Sequence, residues 1–173
     1  MMVEIRKARY EDCEAFVQWE NDEEVIKYLS IPRGKTLEMT IREFIQRESD
    51  DSVMDFGVYY QDKIIGRAFL SRYDRVSHSI DITRIYLGDS SNRGKGLGTD
   101  MMKLLMHYCF ENLNLNRVTL DYLDGNPAQK IYRNLGFVDE GIARVAGFKD
   151  GVYHNYNLMS MLKKEYRALY PGL

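Results

Sequence analysis

Cysteine, proline and tryptophan are scarce in this 173-residue chain, which carries two, three and one of them. Two thiols, Cys13 and Cys109, are too few for a disulfide framework or a cysteine-rich zinc site. Both sit in helical patterns beside apolar neighbours, so both are expected as free, buried thiols. The three histidines, His78, His107 and His154, have no metal-ligand spacing, and no metal site is expected. No apolar run reaches the roughly 18 residues of a membrane-spanning helix, and no basic segment leads into an apolar one at the N-terminal end. A net charge of −2 lacks the basic footprint of a nucleic-acid binder. These absences lead us to expect a cytoplasmic protein without nucleic-acid or membrane partners. Repeats, linkers and low-complexity stretches are missing too, so residues 1–173 are expected to form one domain around one core.

What is present alternates between strand and helix patterns. Val3 to Ala8 alternates apolar and polar residues as a first strand does. From Glu11 to Leu29 the apolar spacing predicts two short helices broken near Asn21 and Asp22, with Asp22 as the cap of the second. Glu20, Asp22, Glu23 and Glu24 read as a solvated helix start, Trp19 as core, and Arg33 as a loop residue facing water. Thr36 caps a third helix. Strands at Val53 to Tyr60, Lys63 to Tyr73 and Ser77 to Leu87 follow as an antiparallel meander. A helix after Leu97, a short strand at Val118 to Asp121, a helix opened by Pro127 and ended by Gly136, and a closing hairpin around Lys149-Asp150-Gly151 complete the order. Strand-helix-strand crossovers beside a meander imply an α/β fold with a mixed sheet and helices on both faces.

The most informative stretch is Ile85-Tyr86-Leu87, which empties into Gly94-Lys95-Gly96-Leu97-Gly98-Thr99 and then into an amphipathic helix. At a helix N-terminus the first backbone N–H groups have no intrahelical acceptor and the dipole adds positive charge, so a phosphate is a fitting guest. Gly94, Gly96 and Gly98 let that backbone approach an anion closely, and Arg93 and Lys95 add formal charge. A Walker A loop would need Lys-Ser/Thr where Lys95 is followed by Gly96, and a dinucleotide fingerprint would need G-x-G-x-x-G. The pattern that fits is R-x-x-G-x-G on Arg93, Gly96 and Gly98.

That pattern between a strand and a helix resembles the acetyl-CoA pyrophosphate loop of the GNAT N-acetyltransferases. Downstream, Asn126-Pro127-Ala128-Gln129-Lys130-Ile131-Tyr132 and Gly136-Phe137 are similar to that family's N-x-x-A-x-x-x-Y-x-x-x-G-F segment, with Asn126 one residue closer to Ala128 than in the family pattern. The stretch Asn21 to Ser30 resembles the branch of ribosomal-protein-alanine and spermidine acetyltransferases. The resemblance implies the GNAT fold, acetyl-CoA as cosubstrate, and an amine acceptor such as a ribosomal-protein N-terminus, a polyamine or another small amine. It places the pantetheine arm along Ile85, Tyr86 and Leu87, with Asn126 as a further contact.

Acetyl transfer from a thioester to an amine needs a neutral amine, an oxyanion donor and a proton for the departing thiolate. Positioning and electrostatics carry most of that work, without a covalent enzyme intermediate. Tyr132 is the candidate acid, since a phenol with a pKa near ~10 can protonate a thiolate whose conjugate acid lies near ~8.5. Asp81, the nearest acid on the strand before the loop, is the candidate base. A CoA-binding module without turnover is the competing expectation, and either a monomer or a homodimer built on the last strand is compatible with the sequence.

Overall fold

The computed structural model describes residues 3–172. Among them, seven strands form a single sheet in the order β1-β2-β3-β4-β5-β7-β6. β1 (Val3–Lys7) pairs antiparallel with β2 (Met54–Tyr60), and β3 (Lys63–Asp74) and β4 (Ser79–Leu87) extend the meander as expected. Between β1 and β2 lie α1 (Cys13–Trp19), α2 (Glu23–Ile26) and α3 (Leu37–Glu48). Asp22 and Thr36 cap α2 and α3 by accepting from the amides of Glu24 and Met39. The chain then crosses through α4 (Leu97–His107) to β5 (Arg117–Leu123), which lies parallel to β4. A parallel neighbour requires such a crossover, because no short turn can reverse the chain twice. α5 (Gln129–Asn134) leads to the hairpin of β6 (Val138–Lys149) and β7 (Val152–Leu162). Its turn residues Asp150 and Gly151 both have positive φ, the two-residue connection whose twist matches paired strands.

The alternation of β3 separates two faces. Ala68 and Leu70 join the main core with Val58, Ile80 and Ile82 beneath α4, whose Met101, Met102, Leu105 and Met106 are buried there. Arg67 and Phe69 point to the other face, where α1 and α3 bring Phe16 and Phe44. A final helix, α6 (Lys163–Leu169), was not anticipated. Its one buried residue, Tyr166, stacks on Phe110 at 4.8 Å between ring centroids, and a single apolar position gives no readable period. Cys13 and Cys109 are both free and buried, and burial pushes the Cys109 thiol up to about 12. Trp19 is half-buried and meets Tyr86 edge-on; a Cβ on Gly88 would lie 2.0 Å from its indole, so the residue that follows β4 must be glycine.

Glu20 corrects an expectation. Instead of opening a solvated helix, its carboxylate is fully buried at the end of α1. It accepts from Arg67 at 2.7 Å, Lys35 at 2.9 Å, and Arg84 and the Tyr86 hydroxyl at 3.0 Å each. The reason is tertiary: the inward face of β3 and β4 presents two arginines directly beneath this point. Burial opposes ionisation of Glu20, but Arg84, Arg67 and Lys35 overcome it and hold the pKa at about 2. A buried pair broken on one side leaves uncompensated charge, at a cost of about 3–5 kcal/mol. Glu20→Gln is therefore expected to lose stability of that order in urea denaturation. Because folding depresses this pKa, its contribution is present above the ordinary 4.5 and is lost as pH falls toward about 2. A variant as stable as the parent would show that the cluster contributes nothing net.

Candidate active site

Parallel pairing between β4 and β5 joins Ser79–Ile82 to Arg117–Leu120 and then stops. The cause lies one residue further along. Consecutive β3 residues Phe69 and Leu70 face Arg84 and Ile82, so Thr83 is an extra residue in β4. Such a bulge bends its strand and reverses the side-chain alternation beyond it. Ile80 and Ile82 enter the main core before the bulge, whereas Ile85 and Leu87 pack against it afterwards. β5 meanwhile follows β7 through Leu123 and Tyr156. The parted strands flank a cavity of about 630 Å³, a size usual for small-molecule sites.

Ile85, Tyr86, Leu87, Arg93, Gly98, Asn126 and Tyr132 all line this cavity. Gly94, Lys95, Gly96, Leu97 and Thr99 do not, but they are contiguous with Arg93 and Gly98. Gly94 and Gly96 hold φ of +74° and +80°, which side-chain-bearing residues adopt at a cost, and no protein atom lies within 4 Å of a Cβ built on either. Gly96 is the N-cap of α4, its carbonyl accepting from Thr99 and Asp100, while the amides of Leu97 and Gly98 precede those bonds. Leu97 is buried and anchors the helix start; Lys95 is exposed. This open cradle of amides beside two cations suits an anionic group. The Asn126 side chain accepts from the Ala128 amide at 3.0 Å and so shapes the turn before α5, which begins at Gln129 rather than at Pro127.

Tyr132 is 7% exposed, its ring among Tyr122 and Phe137. Its hydroxyl makes no hydrogen bond within the described residues, and burial, with Asp121 and Tyr122 nearby, pushes its pKa up to about 12. Asp81 is placed otherwise than expected. It precedes the bulge, does not line the cavity, and accepts from Thr83 at 2.8 Å and Thr119 at 2.7 Å. The one carboxylate among the lining residues is Asp121, which sequence reasoning passed over as the end of a strand. Its signal was alternation: Val118, Leu120 and Tyr122 enter the core, leaving Asp121 on the opposite side. Desolvation, with Asp81 adding to it, raises the Asp121 carboxyl above its ordinary range.

A further wall of the cavity is formed by Val25 of α2 and by Leu29 and Ser30 after it, together with Arg72, Arg84 and Tyr156. Lys149 donates to the carbonyls of Ile26 and Leu29, and Arg33, expected in water, binds Asp150 at 2.9 Å. Arg93 donates to the Glu24 carbonyl at 3.2 Å, joining the glycine loop to the same wall. Among the described residues no group of His, Cys, Asp and Glu is placed to hold a metal ion, and no helix is long and apolar enough to cross a membrane.

Comparison with known proteins agrees with this geometry. A family model described as an acetyltransferase (GNAT) domain matches residues 3–138. The chain is 27% identical over 174 residues to YdaF of Bacillus subtilis, provisionally named a ribosomal N-acetyltransferase, covering 96% of this chain and 94% of that one. It is 39% identical over 77 residues to spermidine N(1)-acetyltransferase of Escherichia coli, covering 44% and 41% of the two chains. The crystal structure of a spermidine N-acetyltransferase from Vibrio cholerae with CoA and spermine shares the fold, with a TM-score of 0.89 at 22% identity over 95% of this chain and 98% of that one. The chain belongs to the GNAT acetyltransferases. It is an N-acetyltransferase that takes its acetyl group from acetyl-CoA.

If the glycine loop holds the diphosphate, Gly96→Val should raise the Kd for CoA more than about tenfold in calorimetry. The positive φ strains the variant by roughly 1–2 kcal/mol, small enough to leave it folded. An unchanged Kd would remove the loop from the binding site.

Proposed function

We propose that this protein transfers an acetyl group from acetyl-CoA directly to a primary amine inside the β4–β5 cavity, with Asp121 as base and Tyr132 as acid. The observation that carries this reading is the approach of these two side chains to one cavity from separate elements, β5 and α5. The proton affinity of Asp121 suits its role. An amine arrives as an ammonium and must lose a proton before it can attack. The raised Asp121 carboxyl accepts that proton more readily than an ordinary aspartate, and its exposure lets it pass the proton to solvent. Asp81, held by Thr83 and Thr119 behind it, adds to the rise in the Asp121 carboxyl.

Acetyl-CoA supplies an already activated thioester, so the chain has to position it and stabilise charge. The backbone of Ile85 to Leu87, freed from β5 by the bulge, offers hydrogen-bonding groups along the cavity wall. Tyr132, with a pKa near 12, keeps its proton at neutral pH, and the same desolvation raises the proton affinity of a thiolate formed beside it, to which it donates. Relatives named for ribosomal-protein and spermidine acetylation share one feature of acceptor, a primary amine, and that is the class proposed here.

General acid or base catalysis by a positioned side chain contributes about 10²–10⁴-fold. Tyr132→Phe is expected to lower kcat by at least about 100-fold, with CoA affinity retained, in a thiol-release assay. Asp121→Asn should lower kcat/KM comparably and abolish the acidic limb of its pH profile. In the parent protein that limb is expected above the ordinary carboxylate value of 3.8, since the shift is upward. Full turnover by Tyr132→Phe would return that residue to a packing role.

A further inference from the structure

Of the charged side chains lining the cavity, three are arginines, Arg72, Arg84 and Arg93, and one is an acid, Asp121. Their partners divide them. Arg84 is held by the buried Glu20, and its charge is met there. Arg93 belongs to the glycine loop, where the diphosphate of CoA is proposed to lie. Arg72 forms no hydrogen bond or ion pair within the described residues. What remains for the acceptor is one cation and one anion.

Arg72 is also placed at a cost. Ser71 and Asp74 of β3 face Asp81 and Ser79 of β4, so β3 carries an extra residue between them. Arg72 occupies this second bulge with φ of +55°, a left-handed conformation that residues with a Cβ adopt reluctantly and that is usually left to glycine. Strain of this kind persists where the surrounding structure holds it, and it clusters at ligand sites. Here it accompanies a guanidinium at the cavity, near enough to Asp121 to oppose the rise in that carboxyl.

Resting on the acetyltransferase reading above, we infer that the acceptor is an amine that carries its own carboxylate, with Arg72 as the specificity-determining residue that holds that carboxylate. The ammonium of such a zwitterion approaches Asp121 while its carboxylate meets the planar fork of Arg72, which binds carboxylates through paired N–H groups. A polyamine offers several cations to a wall with one acid and an unmatched arginine, so it is discriminated against by charge. A free amino acid and a peptide with an acidic residue near its N-terminus share the required chemistry.

Matched substrates separate these cases. Lysine differs from cadaverine by one carboxylate, and a tetrapeptide amide beginning Ala-Asp differs from one beginning Ala-Asn by one charge. Spermidine serves as the polycationic control. Thiol release with acetyl-CoA is expected to give kcat/KM at least tenfold higher for the carboxylated member of one pair; which pair responds tells the free amino acid from the peptide. Arg72→Gly removes the guanidinium while relaxing the strained φ, so the variant should keep or raise its Tm. It should raise KM for the carboxylated substrate at least tenfold with the Kd for CoA nearly unchanged, and raise KM for the uncarboxylated partner far less, while any change in kcat common to both members reports the loss of its charge beside Asp121. Arg72→Lys should restore part of the loss. Equal turnover within both pairs, faster turnover of cadaverine, Ala-Asn peptide or spermidine than of either carboxylated substrate, or equal losses for both members of the responding pair in Arg72→Gly, would overturn the inference and leave acetyl transfer standing. No thiol release with any of these amines while CoA still binds would overturn both.

Discussion

Two parallel strands share hydrogen bonds for four residues and then part, and the functional geometry depends on that parting. Continuous pairing of β4 with β5 would close the sheet and leave no cavity. The extra residue at Thr83 bends β4 while β5 stays with β7. Unpaired backbone groups inside a fold are costly unless water or a ligand satisfies them. Their presence along β4 therefore implies a guest that can hydrogen-bond an extended strand. The glycine loop begins where this strand ends, and α5 follows where β5 ends, so both signature segments reach the cavity because the strands that deliver them diverge.

Two carboxylates illustrate how environment assigns roles. Glu20 and Asp121 both belong to the region around β4, yet their affinities for protons move in opposite directions. Three cations and a tyrosine hydroxyl surround Glu20, so it stays ionised beneath the sheet and ties α1 to β3 and β4. Through Arg84 and Tyr86 this cluster also fixes side chains that line the cavity. Asp121 has the charge of Asp81 nearby and a partly desolvated position, and its proton is correspondingly easier to hold. One arrangement supports structure; the other suits proton transfer.

The acceptor end is assembled from pieces distant in sequence. α2 is held by Lys149 at the β6–β7 turn and by Arg93 at the glycine loop, and Lys149 also holds Leu29 in the segment that follows. Arg33 links this segment to the turn. This wall of the cavity is thus tied both to the glycine loop and to the closing hairpin, which gives it a defined shape around the short α2.

Local chemistry made much of this legible from the sequence. Glycines at positive φ, capping side chains at Asp22 and Thr36, the Asp150-Gly151 turn and alternating apolar positions act over a few residues, so the element order up to β7, the glycine turn before α4 and Tyr132 on its helix were readable. What the sequence could not show were the outcomes of contacts between distant segments. Asp81 lies before the bulge at Thr83, where β4 and β5 still pair, and every side chain after the bulge is shifted by one face. Glu20 became buried because Arg67 and Arg84 face it, and Asp121 and Arg72 reached the cavity because two strands diverge and another bulges. α6 needed only Phe110 to receive Tyr166. Spacing along the chain determines which face of an element a residue occupies; only the packed sheet decides what that face meets.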